Sequence, residues 1–240
     1  MVAVPCVLTL AFGADMVLDM PRTARIVLDG VPHHVTQRGN NREDVFFSAR
    51  DRDVYLSLLV DQCEQHEVAI DGYCLMTNHV HLILCPKLAE GLSLAVGRAH
   101  FQYANCVNLT HGRSGHLWQG RFYSCALDES HFVAAMRYVE RNPVRAGLVR
   151  LPWEYPWSSA AGHAKMSEVD AALSLTNWDE FVDDMDWTSY LLEDETDEDL
   201  AAIRRRTESG MPWAGMDFIR KMEAVTGRRL RPGSPGRPAT

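Results

Sequence analysis

No apolar run in this 240-residue chain reaches the ~18 residues that a membrane-spanning helix needs. The six cysteines (Cys6, Cys63, Cys74, Cys85, Cys106 and Cys125) form no CxxC pair, which excludes a zinc ribbon or a dithiol redox motif and leaves buried free thiols in a reducing cytoplasm as the expectation. No glycine-rich nucleotide-binding loop is present. Residues 1–19 lack the basic segment of a signal peptide. With a second start at Met20-Pro21-Arg22, they read as an upstream extension or a disordered arm. Lysine is nearly absent from residues 22–150, where 13 of the 14 basic residues are arginine. That part also carries 13 acids and nine of the ten histidines, so it is close to neutral. Residues 151–240 hold 10 basic residues against 17 acids, which is where the net charge of −8 arises. An acidic average therefore does not exclude nucleic acid, because the neutral part is rich in the side chain best suited to phosphate.

Periodicity divides the chain into elements. Residues 31–38 form a short β-rich run closed by Gly39-Asn40-Asn41. Residues 50–66 carry apolar side chains at helical spacing, and residues 68–75 form a second strand. Met76-Thr77-Asn78 turns the chain into a third strand that begins at His79. Residues 91–107 are an amphipathic helix and residues 122–127 a fourth strand. A helix capped by Asp128 or Ser130 then runs to Arg141 and is expected to stop at Pro143. Strand, helix, strand, strand, helix, strand is the split βαβ order of an α+β, ferredoxin-like antiparallel sheet. One sheet face is left for a site or for the additional helix. The expected divisions are an extension over 1–19, a main domain over 20–160, an acidic and partly helical linker over 161–199, and a helical hairpin with a basic tail over 200–240. The run EDETDED at 193–199 reads as a solvated boundary. The hairpin is either a nucleic-acid-binding appendage or a pair of helices packing on the main domain.

His79 and His81 flank Val80 in a strand, so both imidazoles share one face, while Val80, Leu82 and Leu84 share the other. Such a pair is either half of a divalent-metal site or two polar residues on a half-solvated strand. On the helix from 128, Phe132, Ala135, Met136 and Val139 form the buried stripe. Tyr138 and Asn142, four residues apart, lie on its flank. They read as a phenol and a carboxamide serving a site, or as a core-edge tyrosine and a helix-terminal asparagine. The loop THGRSGHLWQGR (110–121) is an ordinary connection or a phosphate- and base-contacting loop.

Taken in order, HVHLIL preceded by YCLMTN, then GHLWQGRF, then YVERNPVRAGLV, resemble the HUH single-tyrosine transposases, and within them the REP-associated tyrosine transposases. The likeness runs from about Met20 to Ser159 and includes VTQRGNNRE. It implies a single-stranded DNA endonuclease and strand transferase that recognises hairpin DNA. In that reading Tyr138 is the nucleophile, and His79, His81 and Asn142 hold a divalent metal. Two imidazoles and a carboxamide suit a weakly held Mg or Mn ion, with zinc an alternative. Arg38, Arg42, Arg113, Arg121, Arg141 and Arg145 are the candidates for DNA contact, and Trp118 or Phe122 for base stacking. Tyr73, Tyr103 and Tyr123 are weaker nucleophile candidates, because none is paired with an amide one helical turn away. The expected partner is a REP-like DNA palindrome, with a monomer favoured over a dimer. A domesticated relative that binds hairpins without cutting them is the alternative function.

Overall fold

The computed structural model describes residues 25–182 and 185–231. The expectations for residues 1–19, and for the basic tail beyond Arg231, lie outside the described residues. Four strands form one antiparallel sheet: β1 (His33–Arg38), β2 (Val68–Leu75), β3 (His79–Pro86) and β4 (Tyr123–Ala126), in the order β2-β3-β1-β4. With α1 (Ala49–Gln65) between β1 and β2, and α2 (Ala89–Thr110) between β3 and β4, this is the ferredoxin-like split βαβ arrangement.

Strand alternation decides what each face covers. Val35, Val80, Leu82 and Leu84 point to one side, where they are closed over by Tyr55 and Leu59 of α1 and by Leu92, Val96 and Tyr103 of α2. The α1 start is fixed by a capping box, in which Ser48 accepts from the Asp51 backbone and Asp51 accepts from Ser48. The opposite face carries Cys74, Ile83 and Cys125 and is covered by α3 (Glu129–Glu140). Asp128 caps α3 by accepting from the His131 N–H.

The helix expected from Asp128 to Arg141 is α3, which ends at Glu140 with Arg141 as its cap, and Pro143 also stands in the first turn of a further short helix, α4 (Asn142–Arg145). A proline lacks only an N–H that the first turn leaves unpaired, so it opens a helix as readily as it ends one. Residues 161–199 are not merely a linker. After the short α5 (Ala160–His163), Trp178 of α6 (Thr176–Val182) and Trp187 and Leu191 of α7 (Trp187–Leu192) are buried in the same core as Phe132 and Met136 of α3. The run 193–199 is solvent-exposed, as its composition suggested, apart from the half-buried Glu195. It leads into α8 (Asp197–Ser209), whose first turn takes three acids in the position the helix dipole favours.

The C-terminal pair packs on the main sheet. Ile203 of α8 is buried in the second core, and Ile219 and Met222 of α9 (Met216–Thr226) close over Ile26 and Ala126 beside β4.

Candidate active site and nucleic-acid interface

The histidine strand lies at the centre of the sheet. His79 is half-buried and His81 is 6% exposed. Their rings meet edge to face at 4.9 Å. Each uses Nδ1 in a hydrogen bond: His79 with Asn78 Oδ1 (2.7 Å), and His81 with His34 Nε2 (2.9 Å). Both Nε2 atoms are left as possible donors of a lone pair.

Burial, and then the neighbouring Arg38, push the His79 pKa down to about 4. Burial lowers that of His81 well below its usual value, helped by His79 and His34. Both rings are therefore neutral at physiological pH, the form that binds metals.

His34 went unnoticed in the sequence. It sits on β1 and is diagonal to His81 on the same face, since His34 pairs with Ile83 and Thr36 with His81. Its ring stacks on His81 at 5.1 Å, and its Nδ1 meets Thr207 Oγ1 of α8 at 2.8 Å. A chain of hydrogen bonds thus runs from α8 through His34 to His81 and fixes the orientation of the ring. The available signal was the alternation of VPHHVTQR, which puts His34, Thr36 and Arg38 on one side. It does not say what they face.

Tyr138 stands edge-on to both rings, 5.5 Å from His81 and 5.8 Å from His34. It is 7% exposed and belongs to the core beneath α8. The guanidinium of Arg145 lies 4.3 Å over its ring and also donates to its backbone carbonyl. Asn142 is no longer on the same helix, because α3 breaks at Arg141. Its Nδ2 is buried without a hydrogen-bond partner, and amide N and O are interchangeable on geometry alone. A carboxamide with an unpaired buried atom and two neutral imidazoles with free Nε2 atoms are the donor types that a weakly held ion takes. Among the described residues, no three His, Cys, Asp or Glu side chains are grouped to hold one.

The candidate DNA contacts separate into two sets. Arg38, Arg42 and Arg121 are exposed and form no ion pair among the described residues. Arg113 is paired with Glu43 at 2.8 Å. Arg141 and Arg145 are both taken by Glu195, with Arg141 Nε at 3.1 Å. Trp118, expected to stack on a base, is turned inward. It is 8% exposed, stacks on His100 at 4.6 Å and donates to the His100 carbonyl. Phe122 is covered by Arg25 at 3.6 Å. Aromatic area in a glycine-rich loop is as useful to a core as to a base, and here the α1–α2 core claims it.

Residues 29–142 match the family described as IS200-like transposases. A Haemophilus influenzae protein, provisionally assigned as a REP-associated tyrosine transposase, is 22% identical over 108 residues. That alignment covers 40% of this chain, and the chain spans 61% of that relative's length. The solved structure of a REP-associated tyrosine transposase bound to a REP hairpin superposes with a TM-score of 0.53 at 17% identity, over 64% of this chain and 90% of the other. That likeness extends the shared fold to the α+β sheet and its helices. The span that matches the IS200-like transposase family, residues 29–142, holds the sheet with His79 and His81 together with the Tyr138 helix.

Proposed function

We propose that the protein cuts and rejoins single-stranded DNA beside a hairpin, with Tyr138 as the nucleophile. The observation that carries this reading is the phenol standing edge-on to His81 at 5.5 Å, on the sheet face that also holds His79. The Tyr138 oxygen attacks phosphorus and loses its proton, and the bond to the 3′ oxygen breaks. This leaves a 5′-phosphotyrosine and a free 3′-hydroxyl. The ester is exchanged rather than hydrolysed, so the same hydroxyl, or one from another strand, reverses the step without an energy cofactor. A divalent ion of the Mg or Mn type, held by His79, His81 and Asn142, would supply positive charge to the phosphate oxygens. His34 and Thr207 orient His81, and Arg38, Arg42 and Arg121 supply exposed positive charge for the DNA backbone. A REP-like palindrome is the proposed partner, bound by a monomer.

Incubating the protein with single-stranded hairpin DNA and magnesium tests this reading. A covalent protein–DNA adduct should form, map to Tyr138 and vanish in Tyr138→Phe. An adduct that persists in the variant would refute Tyr138 as the nucleophile. Hairpin binding without cleavage is the second reading, favoured by the 7% exposure of Tyr138 and by the Glu195 carboxylate on Arg141 and Arg145. Metal-independent hairpin binding by the wild type, with no adduct, would decide for it.

A further inference from the structure

Glu140 stands in the last turn of α3, two residues after Tyr138, and is fully buried. A carboxylate is tolerated out of water only when hydrogen bonds replace its hydration. Its Oε1 accepts from Ser159 Oγ at 2.6 Å and meets His163 Nδ1 at 2.6 Å, and its Oε2 accepts from Trp187 Nε1 at 2.9 Å. Ser159 caps α5, His163 ends it, and Trp187 opens α7. Trp178 of α6 fixes the His163 ring by stacking on it at 3.7 Å. The chemistry proposed for Tyr138 makes no use of this carboxylate.

One of its ties leads back to the histidine strand. Ser159 Oγ accepts the Tyr73 N–H at 3.2 Å, and the Ser159 N–H donates to the Tyr73 carbonyl at 3.1 Å. Tyr73 and Cys74 of β2 lie opposite Leu82 and His81 of β3. The helix and the strand touch at this level, since a Cβ at Gly72 would collide with Met136 Sδ of α3. Residues two apart on a helix are about 200° apart around its axis. Glu140 is therefore gripped from behind while Tyr138 faces the rings of His81 and His34, at 5.5 and 5.8 Å. A closed path runs from His81 through Cys74, Tyr73, Ser159 and Glu140 to Tyr138. The Trp187 tie runs instead to α7, which is not part of the sheet.

We propose that Glu140 is a positioning residue for Tyr138, and that its bond to Ser159 is the brace that sets the phenol against the histidine strand. The proposal rests on Tyr138 being the nucleophile. The last turn of a helix is where it frays, because its carbonyls lack partners within the helix. Tyr138 stands in that turn, so an anchor from outside the helix fixes its direction. Attack in line on phosphorus needs such placement, and an error of about 1 Å can cost roughly a hundredfold in rate.

The test compares two cuts. Ser159→Ala severs the brace, and Trp187→Phe severs the α7 tie while keeping a ring. Adduct formation on single-stranded hairpin DNA should slow by about ten- to a hundredfold in Ser159→Ala, with hairpin affinity unchanged. It should keep its rate in Trp187→Phe. Labelling with meta-fluorotyrosine adds a readout that needs no activity, with the Tyr138 fluorine resonance assigned by its loss in Tyr138→Phe. That resonance should move in Ser159→Ala and stay in place in Trp187→Phe. Ser159→Cys, whose thiol is a weaker donor, should fall between the wild type and Ser159→Ala, and it takes the place of that variant if the latter does not fold. An unmoved resonance in the Ser159 variants, or an equal displacement or equal loss of rate in Trp187→Phe, overturns the proposal. A wild type that forms no adduct refutes Tyr138 as the nucleophile, while the fluorine comparison still decides whether the brace places the ring, so the two readings fail separately.

Discussion

Replacing Glu195 by glutamine sets stability and DNA affinity in opposition. The Glu195 side chain is 8% exposed and touches Arg141 and Arg145, themselves 12% and 17% exposed. Breaking a buried ion pair by removing one charge costs about 3–5 kcal/mol. Glutamine keeps the shape and an accepting oxygen, and the cluster sits at the edge of the core, so about 2 kcal/mol is the working figure. For a chain of this size that lowers the melting temperature by roughly 4–8 °C.

The two arginines flank Tyr138 from α4 and the α3–α4 junction, and Arg145 lies over its ring. Freed of the carboxylate, they become available to phosphate. Each new phosphate contact steepens the dependence of log K on log salt by about 0.7–0.9. Hairpin binding by Glu195→Gln should therefore be tighter at low salt, with a slope steeper by roughly 1.4–1.8. The assays are thermal melting by circular dichroism and anisotropy titrations between 50 and 200 mM salt, the concentrations at which such slopes are commonly resolved. Partial unfolding lowers affinity, so a gain in affinity alongside a loss of stability cannot arise from damage to the fold. An unchanged slope and affinity would refute the placing of Arg141 and Arg145 at the DNA interface.

Two further predictions concern the frame that holds the site. Burial pushes the His100 pKa down to about 3, below its unfolded value of about 6.5, while its Nε2 is bonded to Tyr55 at 2.9 Å. The unfolded chain takes up a proton first, so this contribution is full above about pH 6.5 and falls as the solution is acidified. By pH 5 the loss is about 2 kcal/mol. His100→Gln should then lose less melting temperature than the wild type between pH 7.5 and pH 5, and equal losses would disprove the buried neutral ring. At Gly39, a Cβ would lie 2.1 Å from the Glu43 carbonyl oxygen and 2.9 Å from Val45. The first obstacle is backbone and cannot rotate away, so Gly39→Ala should cost about 2 kcal/mol by denaturant unfolding, with no loss expected if the turn re-forms freely.

What the sequence by itself determined is the part written in local periods. Short β-rich runs at 68–75 and 79–86, joined by the turn at 76–78, and the 3.6-residue spacing around Leu59 and Ala99 mark the strands and helices. The βαββαβ order therefore emerges before any contact is known. The shared face of His79 and His81, opposite Val80, Leu82 and Leu84, follows from strand alternation.

What the tertiary structure decided are pairings between residues far apart in sequence, which no local period encodes. His34 meets His81 from a strand 47 residues away and Thr207 from a helix 173 residues away. Glu195 reaches Arg145 across 50 residues, which ties one residue of an otherwise solvated acidic run to the arginine over Tyr138. Trp118 faces His100 rather than solvent, because the α1–α2 core had room for its ring and a carbonyl for its N–H. Pro143 follows the end of α3 and also opens α4, a second role that its missing N–H permits and that the local sequence left open.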